Sequence, residues 1–80
     1  MPAAYTRLIR RIAPDANAVG VECSMRLMYG TLDHLDEETF VREAALAREC
    51  EAADPGYMRR TADSYGLARD YDREEERRAS

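Results

Sequence analysis

Eighty residues are enough for one small domain, and a core of that size usually stabilises a chain by only a few kcal/mol. Hydrophobic residues make up 45% of the chain and charged residues 35%, with a net charge of −4, which is typical of a helical protein with a thin core. No apolar run approaches the roughly 18 residues that a membrane-spanning helix needs, and nothing in the first residues is typical of a secretion signal. We therefore expect a cytoplasmic protein without a membrane partner.

Residues 3 to 13 are predicted to form an amphipathic helix. Its apolar side chains recur at steps of three and four, which places them on one face: Tyr5, Leu8, Ile9 and Ile12. Pro14 cannot continue a helix, and the sequence Pro14-Asp-Ala-Asn17 supplies turn residues and an N-cap for the next one.

A second helix is predicted over residues 16 to 29. Its apolar residues alternate at steps of three and four and continue into the following link, the pattern of a helix–helix seam: Ala18, Val21, Met25, Met28, Leu32 and Leu35. Glu22 and Arg26 form an i, i+4 pair on the flank of the helix. Gly20 lowers helix propensity and indicates a close helix crossing, and Gly30 is suited to end the helix.

Asp36 is predicted to cap a third helix over residues 37 to 53, with Leu35 and Phe40 in contact across the cap. This helix is rich in alanine, so another helix can approach it closely. One side of it carries Phe40, Ala44, Ala47 and Cys50, with Leu46 beside them.

A fourth helix is predicted over residues 55 to 66, with Pro55 at its first position. Its buried stripe consists of Met58, Ala62 and Tyr65. From residue 69 onward no apolar stripe is present, and we expect a charged tail that is exposed, frayed or an extended helix.

The fold prediction is therefore all-α: a small bundle of three to four short helices, forming a single domain over residues 1 to 68 and followed by the charged tail, residues 69 to 80. The predicted core consists of Leu8, Ile12, Val21, Met25, Met28, Leu32, Leu35, Phe40 and Met58.

Charge is unevenly distributed along the chain. Residues 1 to 30 carry a net charge of +2, residues 31 to 56 carry −6, and residues 57 to 80 are balanced. The acidic centre predicts either a docking face for a basic partner or an ordinary solvated helix face. The candidate interaction face consists of Asp33, His34, Glu37, Glu38 and Glu43.

No catalytic, cofactor-binding or metal-binding residues are predicted. The zinc-hydrolase motif needs a second histidine besides His34, and Cys23 and Cys50 lack the Cys-x-x-Cys spacing of a zinc site. These cysteines lie on different predicted helices and are expected to be reduced thiols with small, buried side chains. There is no glycine-rich phosphate loop, so we do not expect an enzyme.

The second and third helices with their short link are also compatible with a helix-turn-helix DNA-binding regulator. The third helix would then lie against DNA, and its first turn and the residues Glu43, Glu49 and Glu51 would repel the phosphates. Nucleic acid is therefore a disfavoured partner. An inhibitor that mimics nucleic acid through residues 31 to 56 is a further alternative.

The methionine and tyrosine residues of the second and fourth helices fit two interpretations. They form either an adaptable protein-binding surface or, at helical spacing, part of the core: Met25, Met28, Met58, Tyr29, Tyr57 and Tyr65. The two interpretations merge if the chain forms a homodimer.

The sequence Tyr29-Gly-Thr-Leu-Asp-His-Leu35, followed by Thr39-Phe40 and a helix rich in Ala, Arg and Glu, resembles short uncharacterised proteins encoded by actinobacterial phages. The resemblance covers residues 15 to 53. It implies a small accessory protein in the host cytoplasm that acts by binding a host or phage macromolecule. The first expectation is therefore a non-enzymatic helical protein that works by protein–protein interaction.

Overall fold

The structure, a computed structural model, describes residues 3 to 80, with side chains from Tyr5 onward. This part of the chain forms five helices and no strand: α1 (Ala3–Ile12), α2 (Ala18–Tyr29), α3 (Glu37–Ala53), α4 (Tyr57–Ser64) and α5 (Ala68–Ala79). The all-α prediction is confirmed. The predicted number of three to four helices is wrong, because the charged residues after 67 form a fifth regular helix.

Helix α2 is the centre of the bundle and packs against each of the other four helices. Its residues 18 to 25 are therefore buried on every side. Gly20 lies where α4 crosses: a Cβ atom at this position would lie 2.7 Å from the Cβ atom of Met58. The predicted close crossing at Gly20 is confirmed.

The helix ends follow local signals in the sequence. The side chain of Asn17 accepts a hydrogen bond from the backbone N–H of Gly20 at 3.1 Å, and Asp36 accepts one from Thr39 at 2.8 Å. Gly30 ends α2 with a φ of +73°, a conformation that side-chain-bearing residues rarely adopt. The predicted start of the fourth helix at Pro55 is wrong, because Pro55 lies in a turn and α4 begins two residues later.

Most of the predicted core is correct. Val21, Met25, Leu32, Phe40 and Met58 are buried in one cluster. Three further members of the prediction are half-buried against that cluster: Leu8, Ile12 and Leu35.

Met28 is the error in the predicted core, since 64% of it is exposed. Helix α2 ends at Tyr29 and Gly30 follows as its cap, so the next apolar residue of the seam to enter the core is Leu32, from the link. Tyr65, predicted in the buried stripe of the fourth helix, is also exposed, because it follows the end of α4.

Helix α5 is attached to the bundle by one aromatic ring and several polar groups. The ring of Tyr71 packs against the core, and Asn17 donates a hydrogen bond to the Tyr71 carbonyl oxygen at 3.0 Å. Glu74 is buried, and Arg78 donates to the carbonyl oxygen of Asp15 at 2.9 Å. The sequence predicts that this segment has no apolar stripe, and its contacts with the bundle are the Tyr71 ring and polar groups. Fraying of the tail stays a prediction.

Within residues 3 to 80 there is no helix with the length and apolar character required to cross a membrane.

Candidate interaction surface

The predicted interaction face lies on the α2–α3 link and the first two turns of α3. Asp33, His34, Glu37 and Glu38 are exposed, and we name these four residues the acidic corner. Glu43, on the second turn of α3, is half-buried. Arg42 connects it to the corner, at 3.9 Å from Glu43 and 4.0 Å from Glu38.

The acidic corner is held in place by aromatic rings. The Tyr5 hydroxyl donates a hydrogen bond to Asp33, which together with burial raises the pKa of Tyr5. The ring of His34 packs edge-on against Tyr29, with 6.2 Å between the ring centroids. Glu38 lies at the limit of an ion pair, 4.0 Å from Arg42. The glutamates of the corner thus remain open to solvent and to a partner.

Neither cysteine is placed for metal binding. Cys23 is buried and Cys50 half-buried, both as free thiols. Burial raises the pKa of Cys23 to about 11, so this residue is a thiol at neutral pH. The described residues contain no cluster of three or more histidine, cysteine or acidic side chains that could hold a metal ion.

Several large apolar side chains are exposed on α2 and α3. Leu27 and Met28 in the last turn of α2 are 58% and 64% exposed, and Leu46 on α3 is 42% exposed. Met28 and Leu46 line a groove of about 130 Å³ between the two helices. We name it the α2–α3 groove, and its lining residues are Ser24, Met25, Met28, Glu43, Leu46, Ala47, Cys50 and Tyr57.

The sequence does not predict this groove as such. It assigns Met28 to the core by periodicity, but it also offers Met25, Met28 and Tyr57 as part of an adaptable protein-binding surface, and these three residues line the groove. Leu46 is predicted only beside the buried side of α3. The pairing of Met28 with Leu46 depends on how α2 and α3 pack.

A second cleft lies between the α1–α2 connection, the end of α3 and α5, and both charged and apolar side chains line it. Four of the charged side chains form two ion pairs. Arg48 lies 2.7 Å from Asp15, and Arg78 lies 2.6 Å from Glu75. These groups hold the helices together and leave little charge to recruit a ligand.

One buried ionisable group belongs to neither surface. Glu22, placed on the flank of its helix by the sequence, is fully buried in α2. Arg26 donates to its Oε2 atom at 3.2 Å, whereas Oε1 has no partner among residues 3 to 80. Burial raises the pKa of Glu22 to about 7, against the opposing effect of Arg26. An i, i+4 pair of this kind looks the same in sequence whether it is exposed or buried.

Comparison with protein families, curated proteins and solved structures found no match for this chain.

Proposed function

We propose that this chain is a small non-enzymatic helical protein that acts by binding another protein through the surface formed by the end of α2, the link and α3. The observation that carries the proposal is the exposure of Leu27 and Met28 on the helix that forms the centre of the core. Exposed apolar groups rimmed by polar residues mark interaction sites more often than scattered single ones do.

Leaving Met28 in solvent forgoes stabilisation that a thin core needs. Burial of such a side chain is worth about 1.5–3 kcal/mol. That amount is a large fraction of the stability of a small domain. Retaining Met28 on the surface is therefore more easily explained by a binding role than by the requirements of folding.

The resemblance to phage-encoded proteins over residues 15 to 53 supports the same proposal. A protein of this kind acts as an accessory factor in the host cytoplasm by engaging a host or phage macromolecule. The acidic corner beside the exposed apolar side chains gives the surface a negative rim, which favours partners with positive charge.

The test compares two variants of equal chemistry. The first, Leu27→Ser with Met28→Ser, removes the apolar side chains at the end of α2. The second, Tyr65→Ser, removes an exposed apolar side chain that follows α4 and lies outside the proposed surface. Immobilised wild-type and variant proteins are incubated with an actinobacterial lysate, and bound proteins are quantified by mass spectrometry.

We expect a protein that wild type and Tyr65→Ser retain equally and that the double variant retains about tenfold less, a loss equivalent to 1.4 kcal/mol of binding. Identical recovery with all three proteins would contradict the proposal. Salt-dependent retention of the wild type on double-stranded DNA would also contradict it and would favour the regulator.

A further inference from the structure

The α2–α3 groove has the dimensions of a receptor for one side chain. Its volume is about 130 Å³, close to the roughly 150 Å³ cavity that accommodates a benzene molecule. The floor is formed by Met25 and Ala47, which are buried, and the walls by Met28 and Leu46. A single leucine, methionine or phenylalanine side chain from a partner would fill it.

The polar groups that line the groove differ in how well they are hydrogen-bonded or paired within the protein. The Ser24 and Tyr57 hydroxyls share a hydrogen bond of 3.0 Å, so they satisfy each other. Glu43 is the one charged lining residue, and its side chain is 12% exposed. The nearest cation is Arg42, whose Nε atom lies 3.9 Å away, at the limit of an ion pair. The Tyr29 hydroxyl also donates a hydrogen bond to Glu43, and burial together with this bond raises the pKa of Tyr29. Glu43 therefore has a neutral donor and only a distant counterion, and it favours an incoming positive group.

Glu49, next to the groove on α3, is also negatively charged, like Glu43. On α3, Glu43 and Glu49 lie three residues before and after Leu46, so they flank it on the helix surface. The complement of this surface is an apolar anchor flanked by arginine or lysine.

The fold also indicates the secondary structure of the partner segment that would bind. From residue 3 to residue 80 the chain is helical and presents no sheet edge to which an extended peptide could add. Two adjacent helices with a groove between them accept a third helix, which offers apolar anchors at steps of three and four and charges on its flanks.

We infer that the α2–α3 groove receives a basic amphipathic helix of a partner protein, with one apolar side chain inserted between Met28 and Leu46 and a basic side chain paired with Glu43. The inference rests on the proposed function, whose partner it specifies. A second copy of the chain is a poorer ligand, because it would bring the same glutamates together. Its own basic helix, α1, has its apolar face in the core, with Ile9 fully buried.

The experiment uses synthetic peptides as probes with the full-length chain. The first probe is a peptide of about 18 residues, long enough to form a helix, with leucine at steps of three and four and lysine elsewhere. The second has the same composition in scrambled order, without an apolar face. The third replaces every lysine with glutamate. Binding is followed by the fluorescence anisotropy of the labelled peptide.

We expect the first peptide to bind saturably and the other two to bind at least about tenfold more weakly, since each lacks one of the two required features. Leu46→Ser should weaken binding of the first peptide by a similar factor, whereas Val41→Ser should leave it unchanged. Glu43→Gln should weaken binding and lower its dependence on salt concentration. Circular dichroism of each variant verifies that the fold is retained.

Equal binding of the scrambled peptide would overturn the inference, because charge alone would then explain the affinity. Equal binding to Leu46→Ser would overturn it too, as would a dimer in light scattering that Leu46→Ser dissociates. If no peptide binds although the lysate partner depends on Leu27 and Met28, the proposed function stands and the assignment of the partner class is wrong. If neither experiment shows binding, both are wrong.

Discussion

Two glutamates of this protein are buried almost completely, yet they differ in their state of ionisation. Glu22 in α2 is 0% exposed and Glu74 in α5 is 4% exposed. The pKa of Glu22 is raised to about 7, whereas that of Glu74 is lowered to about 2. Burial alone therefore does not determine which form of a carboxyl group the fold prefers.

The difference lies in the arginines around each carboxylate. Arg10 donates to both oxygens of Glu74, at 2.7 and 3.0 Å, and is the main cause of the low pKa; Arg77 adds two further hydrogen bonds. Glu22 receives one hydrogen bond, from Arg26, and burial dominates its pKa. Two-oxygen recognition by a guanidinium offsets the loss of water, and a single contact does not.

The two groups act on stability in opposite pH ranges. The contribution of Glu74 is present above about pH 4.5, its ordinary pKa, and is lost as the pH falls toward 2. The contribution of Glu22 is fully present below about pH 4.5 and is lost as the pH rises through about 7. Together these groups favour maximal stability near pH 4.5.

Met25→Asp extends the comparison to a buried carboxylate with no arginine partner, and it should have the largest effect. Met25 is fully enclosed in the core, so a charged group there is uncompensated. We expect loss of the cooperative thermal transition at pH 7, monitored by circular dichroism. Met28→Asp, the same change at an exposed position of α2, should melt like the wild type. Near-native melting of Met25→Asp would contradict the assignment of this face of α2 to the core.

Phe40→Ala removes an apolar side chain, so its effect on stability should not depend on the ionisation of Glu22 or Glu74. Phe40 is buried and packs against the ring of Tyr5, with 5.7 Å between centroids. Its truncation should lower the free energy of unfolding by about 3 kcal/mol, equally at pH 5 and pH 7, as measured by urea denaturation. Val41→Ala next to it is exposed and serves as the control. A loss below about 0.5 kcal/mol would place Phe40 at the surface.

Arg10→Met removes the main partner of Glu74 and should make it resemble Glu22. We expect a loss of about 2 kcal/mol at pH 7, less than the 3–5 kcal/mol of a fully buried pair, because Arg10 is 36% exposed and Arg77 remains. The decrease in stability on acidification should also begin at a higher pH. Arg11→Met, an exposed neighbour, is the matched control. Unchanged acid behaviour would mean that Arg77 alone keeps Glu74 ionised.

Glu22→Gln should have the smallest effect and should act on the pH profile. The amide cannot ionise, so the decline in stability between about pH 4.5 and 7 should disappear. We expect a gain of about 1 kcal/mol at pH 7.5 and little change at pH 4, measured by urea denaturation across this range. The gain is below the roughly 3 kcal/mol that the raised pKa corresponds to, because the amide also loses the ion pair with Arg26. Glu38→Gln, which is exposed, should leave the profile as it is. A wild-type profile in Glu22→Gln would show that Glu22 stays ionised in the folded protein.

The helices were predictable from the sequence to the extent that their signals are local. Asn17, Gly30 and Asp36 act within three or four residues of their own positions, and the helix ends that they mark are observed. The fifth helix depends instead on contacts between distant residues, such as the 64 positions that separate Arg10 from Glu74. The spacing of apolar residues in the sequence does not predict a contact between two distant charged residues.

The candidate surface was predictable in composition and not in shape. The acidic residues around the link were identifiable from their number and order. The groove requires Met28 to be left out of the core and Leu46 to lie opposite it, and both follow from the packing of α2 against α3. The side chain of Glu22 illustrates the same limit, because its burial comes from neighbouring helices.

The central position of α2 has a consequence for how the protein opens. Since α2 contacts all four other helices, detachment of any one of them exposes part of α2 to solvent. The amide protons of residues 21 to 25 should therefore exchange with deuterium only through complete unfolding, whereas those in the first turn of α3, next to the exposed glutamates, should exchange through local opening. In the time course of exchange, the helices should behave as one cooperative unit, and the first turn of α3 should exchange faster.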